Sequence, residues 1–198
     1  MNVLLGTLAA VLGYLLGSVS FSVLLSKRHF HTDVRTQGSG NAGATNVARV
    51  FGMRAGVVTL LCDMAKTAAA MGVGQLLCGD VGLALAGGAC LIGHCWPVFF
   101  GFRGGKGVSV GAAIGLLIDW RVLLIIVAVF ALGMLLTRIV SVGSMLAAFA
   151  LPIAALIVGV SVPKLVLAIF TGALVIFMHR ANIGRLLRHE EAPFHPKK

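Results

Sequence analysis

Between Val3 and Met178 the chain is a series of apolar runs interrupted by short polar segments, and almost all of its cations sit in those segments. A soluble core cannot hold that much apolar chain: hydrophobic residues make up 59%, charged residues 11%, and the mean hydropathy is +1.02. The sequence therefore reads as an all-α, polytopic membrane protein in one domain, residues 1–198. The apolar runs are 3–25, 55–77, 81–100, 108–118, 122–136, a run from Thr137 to about 159, and 165–178. The runs 108–118 and 122–136 are each shorter than the ~20 residues that cross hydrocarbon unaided. One long span over both would bury Asp119 and Arg121 at mid-membrane, so the pair is expected to form a helical hairpin. The first run lacks a small-residue cleavage motif after it and reads as a retained span.

Seven transmembrane helices put the termini on opposite sides. The polar segments 27–54, 101–107, 137–139 and 179–198 then share one side, and only Arg121 and Lys164 lie opposite, with Lys66 inside a span. The excess of Lys and Arg makes the shared side cytoplasmic, with the N-terminus outside and the C-terminus in the cytoplasm. A formal charge of +10 suggests nucleic acid at first sight, but the basic residues lie between apolar runs and form no soluble groove, so no nucleic-acid partner is expected. Cys62, Cys78, Cys90 and Cys95 stand in apolar surroundings without metal-ligand spacing, and no metal or cofactor is expected.

The shared face carries the chemistry. In Arg35–Arg49, RTQGSGNAGATNVAR, Gly38, Gly40 and Gly43 let backbone N–H groups turn together, Ser39, Asn41, Thr45 and Asn46 add short donors, and Arg49 adds a fixed cation. A helix beginning near Ala44 would point its positive end at the same place. That is an anion cradle, or else an ordinary glycine-rich loop with a helix cap. FRGGKG sets Lys106 among Gly104, Gly105 and Gly107. Its resemblance to a nucleotide-binding loop is superficial, because three residues instead of four separate Gly101 from Gly105, and Gly107 stands where Ser or Thr should be.

His94 is expected near a span end, where an interfacial hydrogen-bonding role competes with that of a base. His179 and Asn182, three apart, emerge with Arg180, Arg185 and Arg188, which would otherwise only attract lipid head groups. Ser141 and Ser144 share a helix face, where interhelical hydrogen bonding is the plain alternative. Asp63 and Lys66 read as an intramembrane ion pair with a structural role, or as part of the site wall. Asp33, Glu190 and Glu191 are the only carboxylates on this face, which argues against paired-carboxylate hydrolysis. Residue chemistry thus leads to a membrane site that grips phosphate esters, open to an enzyme, a carrier or a docking scaffold.

GSGNAGATNVAR, DMAK, GHCWPVFFGFRGGKGV, TRIVSVGS and HRANIGRLL together resemble the bacterial acyl-phosphate-dependent glycerol-3-phosphate acyltransferases, the PlsY family, over nearly the whole chain. The resemblance implies a seven-helix inner-membrane enzyme with its active site at the cytoplasmic face and no cofactor. Its reaction transfers a fatty acyl group from acyl phosphate to the 1-hydroxyl of glycerol 3-phosphate, giving lysophosphatidic acid and phosphate, the first step of phospholipid synthesis. The alternative is a membrane carrier of a phosphate ester. The resemblance further implies that Ser39, Asn41, Thr45, Asn46 and Arg49 form the substrate-phosphate pocket and that Gly104, Gly105, Lys106 and Gly107 contact glycerol 3-phosphate. Ser144 and the catalytic candidates His94, His179 and Asn182 should complete the site. The partners it implies are the two substrates, the bilayer and the peripheral enzyme that makes acyl phosphate. Where the family usually carries Gly after the DMAK lysine this chain has Thr67, and where it usually carries Ala-Thr it has Ser109 and Val110.

Overall fold

The structure, a computed structural model, describes residues 2–194; Lys197 and Lys198, counted above among the cytoplasmic cations, lie outside the described residues. Helices follow one another as α1 (Val3–Gly17), α2 (Phe21–Phe30), α3 (Ala44–Phe51), α4 (Met53–Cys95), α5 (Val108–Ile118), α6 (Trp120–Thr137), α7 (Val140–Val158), α8 (Val162–Met178) and α9 (Arg180–Leu187). Among the described residues there is no strand. Val3–Phe30, Met53–Phe100, Trp120–Thr137 and Val140–Val158 are long and apolar enough to cross a membrane, and α8 with α9, bent by 52°, is a fifth stretch if taken as one.

α4 is a hairpin. Cys78 and Gly79 leave helical geometry, Gly79 at φ 57°, and the chain turns back on itself there. Gly74 and Gly82 press backbone to backbone beside the turn, Met71 meets Gly87 further in, and Thr67 Oγ1 meets Cys90 Sγ at 3.8 Å beyond that. A Cβ on Gly74 or Gly82 would run into the facing carbonyl, so only glycine permits an approach this close. α1 packs along the returning arm by the same device: Gly13 lies against the backbone of Ala86, and Gly17 against that of Cys90.

The first span expected over 3–25 falls within the apolar stretch Val3–Phe30, with a break in its helix. The helix stops at Gly17 and restarts at Phe21, with Ser20 extended at φ −92°, ψ 94°. The cause is the buried Lys66 ammonium, which donates to the carbonyls of Gly17 (2.9 Å) and Val19 (2.6 Å) and holds them out of the helical ladder. In the polar tail Arg180–Leu187 is helical. The α5–α6 hairpin forms as expected at Asp119, whose side chain caps α6 through the Arg121 N–H (2.8 Å) and pairs with the Arg121 guanidinium (2.9 Å). The turn at residue 80 is tied to α8 through Asp80, which pairs with Lys164 (3.4 Å) and accepts from Ser161. Between the polar ends lies an apolar core of Met71, Leu91, Val110, Ile114, Val122 and Leu151 among others.

Candidate functional site

Four segments distant in sequence meet at one end of the bundle. The first is braced from within. Asn46, buried at the third position of α3, accepts the Ser39 N–H at Oδ1 (2.9 Å) and donates from Nδ2 to the carbonyls of Val34 (3.1 Å) and Gln37 (3.0 Å). Its amide is thus spent on the loop's shape, and Gly38, at φ 58°, leaves no room for a Cβ beside Asn46 Oδ1. Gly43 caps α3 without a side-chain bond, which leaves the N–H groups of Ala44 and Thr45 without a capping side chain.

Arg35 fastens this segment to the second. Its guanidinium forks onto Asp33 (3.0 and 2.8 Å) and donates to the Phe100 carbonyl (2.7 Å). The fork and the Arg35 backbone N–H hold the Asp33 carboxyl well below the usual carboxylate range, against the opposing effect of burial. The glycine loop then lies on the end of α4: Gly104 N–H donates to the Cys95 carbonyl (3.2 Å) and Gly105 N–H to that of His94 (3.0 Å). A Cβ on Gly105 would strike His94 Nε2 and sit 2.9 Å from the Ala42 oxygen, so glycine there brings the first and second segments into contact. Gly107, at φ 82°, turns the chain into α5.

Lys106 reaches across to the fourth segment, where Nζ donates to Asn182 Oδ1 at 2.6 Å. Its pKa is lowered to about 8, chiefly by burial and then by the cations of Arg185 and Arg49, with Glu191 offsetting part of the effect. Glu191 ties the third and fourth segments together: Oε1 accepts from Ser141 Oγ (2.7 Å) and Asn182 Nδ2 (2.5 Å), and Oε2 from Arg185 Nε (2.5 Å). Burial raises the Glu191 pKa, but these hydrogen bonds outweigh it and leave the value below normal. The tail continues across the site, with Phe194 N–H donating to the Arg138 carbonyl (3.0 Å) and its ring 5.9 Å from the Arg49 guanidinium carbon.

His179 sits at the bend between α8 and α9, with Nδ1 2.7 Å from the Val175 carbonyl. A carbonyl only accepts, so Nδ1 carries the proton and Nε2 keeps a lone pair. Ser39, Asn41, Thr45, Asn46, Arg49, His94, Lys106, Ser144, His179 and Asn182 all line one cavity of about 970 Å³. Gly104, Gly105 and Gly107 do not line it and instead shape the loop that presents Lys106. Below the polar groups the same cavity runs between Val57 and Leu60 on one side and Ile126, Val127 and Phe130 on the other. Val57 on α4 and Val127 on α6 line the cavity and stay about half exposed, which leaves its apolar half open between those helices.

Glu191, Ser109 and Thr67 have bonding roles that the sequence alone does not show. Glu191 reads from the sequence only as one carboxylate of the polar face, and its acceptor role depends on the tail after α9 reaching Ser141 at the start of α7. Ser109, noted as a departure, donates to Asp63 Oδ2 (2.9 Å), and Thr67, the other departure, donates to the Asp63 carbonyl (2.7 Å).

Residues 7–189 match the family described as glycerol-3-phosphate acyltransferase. A glycerol-3-phosphate acyltransferase of Shouchella clausii (strain KSM-K16) is 45% identical over 188 residues, covering 90% of this chain and 91% of its own. One from Clostridioides difficile (strain 630) is 42% identical over 195 residues, with 96% and 95% covered. The fold matches a crystal structure of PlsY (YgiH), an integral membrane glycerol 3-phosphate acyltransferase in its glycerol 3-phosphate form, at TM-score 0.90 and 35% identity, with 96% of each chain covered. The lysophosphatidic acid form of PlsY matches at TM-score 0.88 and 34% identity, covering 96% of this chain and 95% of that one.

Proposed function

The chain belongs to the glycerol-3-phosphate acyltransferase family, and from that membership we propose that it moves a fatty acyl group from acyl phosphate to the 1-hydroxyl of sn-glycerol 3-phosphate, releasing lysophosphatidic acid and phosphate. One observation carries the reading: a cluster of cations and neutral donors shares a single cavity with an apolar groove open to the side of the bundle. A polar phosphate ester and a lipid-borne acyl donor have to meet at such a junction. The crystallised PlsY forms, with glycerol 3-phosphate and with lysophosphatidic acid, support the same substrate and product for this chain.

The protein works as one unit with seven crossings, two of them the arms of α4 and two the α5–α6 hairpin. The N-terminus lies outside, and the site faces the cytoplasm of a bacterial inner membrane, where its Lys and Arg gather. That face is also where a peripheral enzyme making acyl phosphate would deliver its product.

The phosphate of glycerol 3-phosphate binds among Lys106, Arg49, Ser39, Asn41, Thr45 and the open N–H groups of α3, with Asn46 holding the loop in shape. Asn182 steers the Lys106 ammonium, and Ser144 donates from the α7 side. The acyl chain lies along Val57, Val127 and Phe130. His179 Nε2 takes the proton of the 1-hydroxyl as that oxygen attacks the acyl carbonyl, and the bond to phosphate then breaks with its electron pair leaving on the phosphate oxygen. Phosphate is a good leaving group, so charge stabilisation and the joint holding of two anions supply most of the rate.

A phosphate-ester carrier needs polar groups along a path to the far side. Beneath the polar cluster the cavity wall becomes Ile126, Phe130 and Leu151, which favours transfer over transport. The deciding experiment gives purified protein in lipid both acyl phosphate and glycerol 3-phosphate and follows phosphate release. Release that requires both substrates is expected; a carrier or scaffold releases none.

A further inference from the structure

Beneath the glycine loop lies a buried polar group outside the phosphate cluster. Asp63 and Lys66 stand on the first arm of α4, His94 on the second, and Ser109 at the start of α5, all almost fully buried. Lys66 Nζ is 3.1 Å from Asp63 Oδ1, donates to the carbonyls of Gly17 and Val19, and is 3.3 Å from His94 Nδ1. Ser109 Oγ occupies the other Asp63 oxygen. Ionisable groups within a span cost free energy to bury, so this arrangement calls for a use beyond filling space.

An ammonium has three donors and no acceptor. A proton on His94 Nδ1 would point at the Lys66 cation, and Asp63 Oδ1, at 3.7 Å, is beyond hydrogen-bond reach. Nδ1 is therefore the bare nitrogen that faces Lys66, and the ring proton sits on Nε2. That edge lies against Gly105 and the cavity, and among the described residues Nε2 has no hydrogen-bond partner. His179 has the reverse arrangement, with Nδ1–H bound to the Val175 carbonyl and Nε2 bare.

We propose that Lys66 is a positioning residue that fixes His94 as an Nε2–H donor into the cavity, so that His94 stabilises charge on the reacting phosphate or acyl oxygens and His179 alone serves as the base. This assignment rests on the acyltransfer reading. Asp63 neutralises Lys66, and Ser109 holds Asp63, so the network as a whole sets the direction of one N–H bond. Such second-layer control of a histidine tautomer is the role a carbonyl or carboxylate plays elsewhere, performed here by a cation and with the opposite result.

The test uses the full chain in lipid, labelled with 15N-histidine, with the His94 ring signals assigned by their loss in His94→Gln. A bare Nδ1 with a protonated Nε2 is expected, and an Nδ1–H tautomer or a charged ring overturns the proposal. Kinetics give the second reading, since glutamine can donate in place of Nε2–H but cannot act as a base. His94→Gln should stay within about tenfold of wild type in kcat/KM, while His94→Ala falls on the order of 10²–10³-fold, the usual loss of one charge-stabilising donor. If both variants fold and are equally inactive, the donor role is overturned in favour of a base. A wild type that releases no phosphate overturns the acyltransfer reading instead, and the spectrum then judges the tautomer separately.

Discussion

Lys106 and Asn182, 76 residues apart in the chain, are joined by a 2.6 Å hydrogen bond from Nζ to Oδ1. The bond crosses from the glycine loop to α9 and keeps a buried ammonium aimed into the cavity. Burial lowers the Lys106 pKa to about 8, with Arg185 and Arg49 adding to the effect. The charged form therefore prevails below that value and is lost as pH rises through it. The kcat/KM for glycerol 3-phosphate should decline above pH 8, whereas kcat declines at higher pH because bound phosphate stabilises the ammonium. Lys106→Arg removes the alkaline decline, and Lys106→Ala raises KM or abolishes transfer. Measured pH profiles of the three proteins check this, and an unchanged decline in Lys106→Arg would assign it to another group.

Glu191 predicts a stability effect separable from catalysis. Its carboxylate accepts from Ser141, Asn182 and Arg185, and its folded pKa lies below that of a free glutamate. A carboxyl with a depressed folded pKa stabilises above its unfolded value, and that contribution disappears as pH falls through the folded one. Glu191→Gln should match wild type in thermal stability at strongly acid pH and fall behind it near pH 7. The expected deficit is on the order of 5 °C, since charged hydrogen bonds contribute ~1.5–3 kcal/mol each. Equal Tm values near pH 7 would mean that Ser141, Asn182 and Arg185 are held together without it.

Which parts were legible in the sequence follows from the range of each interaction. Helix ends at residues 79 and 119 and the start of α3 near Ala44 were visible because glycine, charge and capping act locally. Gathering of Ser39, Lys106 and His179 at one end followed from counting crossings and cations, a chain-wide rule that needs no contact. The interruption at Gly17 was not visible, because its cause is Lys66, 49 residues away, taking carbonyls that would otherwise stay in a helix. The clasp by Glu191 was hidden for the same reason, with Ser141 50 residues before it. Asp63 and Lys66 were paired correctly as i,i+3 neighbours, while their hold on His94 depended on where the α4 hairpin closes.

Gly17 supplies a carbonyl to Lys66 and lies against the backbone of Cys90. Gly17→Val adds a branched side chain where even a Cβ overlaps that backbone, so α1 must move off the returning arm of α4. Overpacking of this kind costs about 1–3 kcal/mol, and here it also withdraws an acceptor from a buried cation. The variant should melt several degrees lower in lipid or detergent. Gly72→Ala, on the first arm of α4 where an added Cβ meets nothing within 4 Å, should not. Equal melting of the two variants would show that the α1–α4 contact tolerates more separation than its glycines suggest.

Val127 lines the apolar half of the cavity and is 50% exposed, and Val57 across from it is 44% exposed. If the acyl chain enters between α4 and α6, a large side chain at this rim obstructs it without touching the phosphate cluster. Val127→Trp folds readily because the indole can rest on the lipid side, and helical stability changes little at an exposed position. The KM for a long-chain acyl phosphate should rise about tenfold, the KM for glycerol 3-phosphate should stay as it is, and a short, water-soluble acyl phosphate should react as with wild type. Together these three results place the obstruction on the acyl path. Equal losses with long and short donors would instead mean that the donor reaches the carbonyl-attack position from the aqueous face, past Arg49 and Phe194, and that the sideways groove holds something other than the reacting chain.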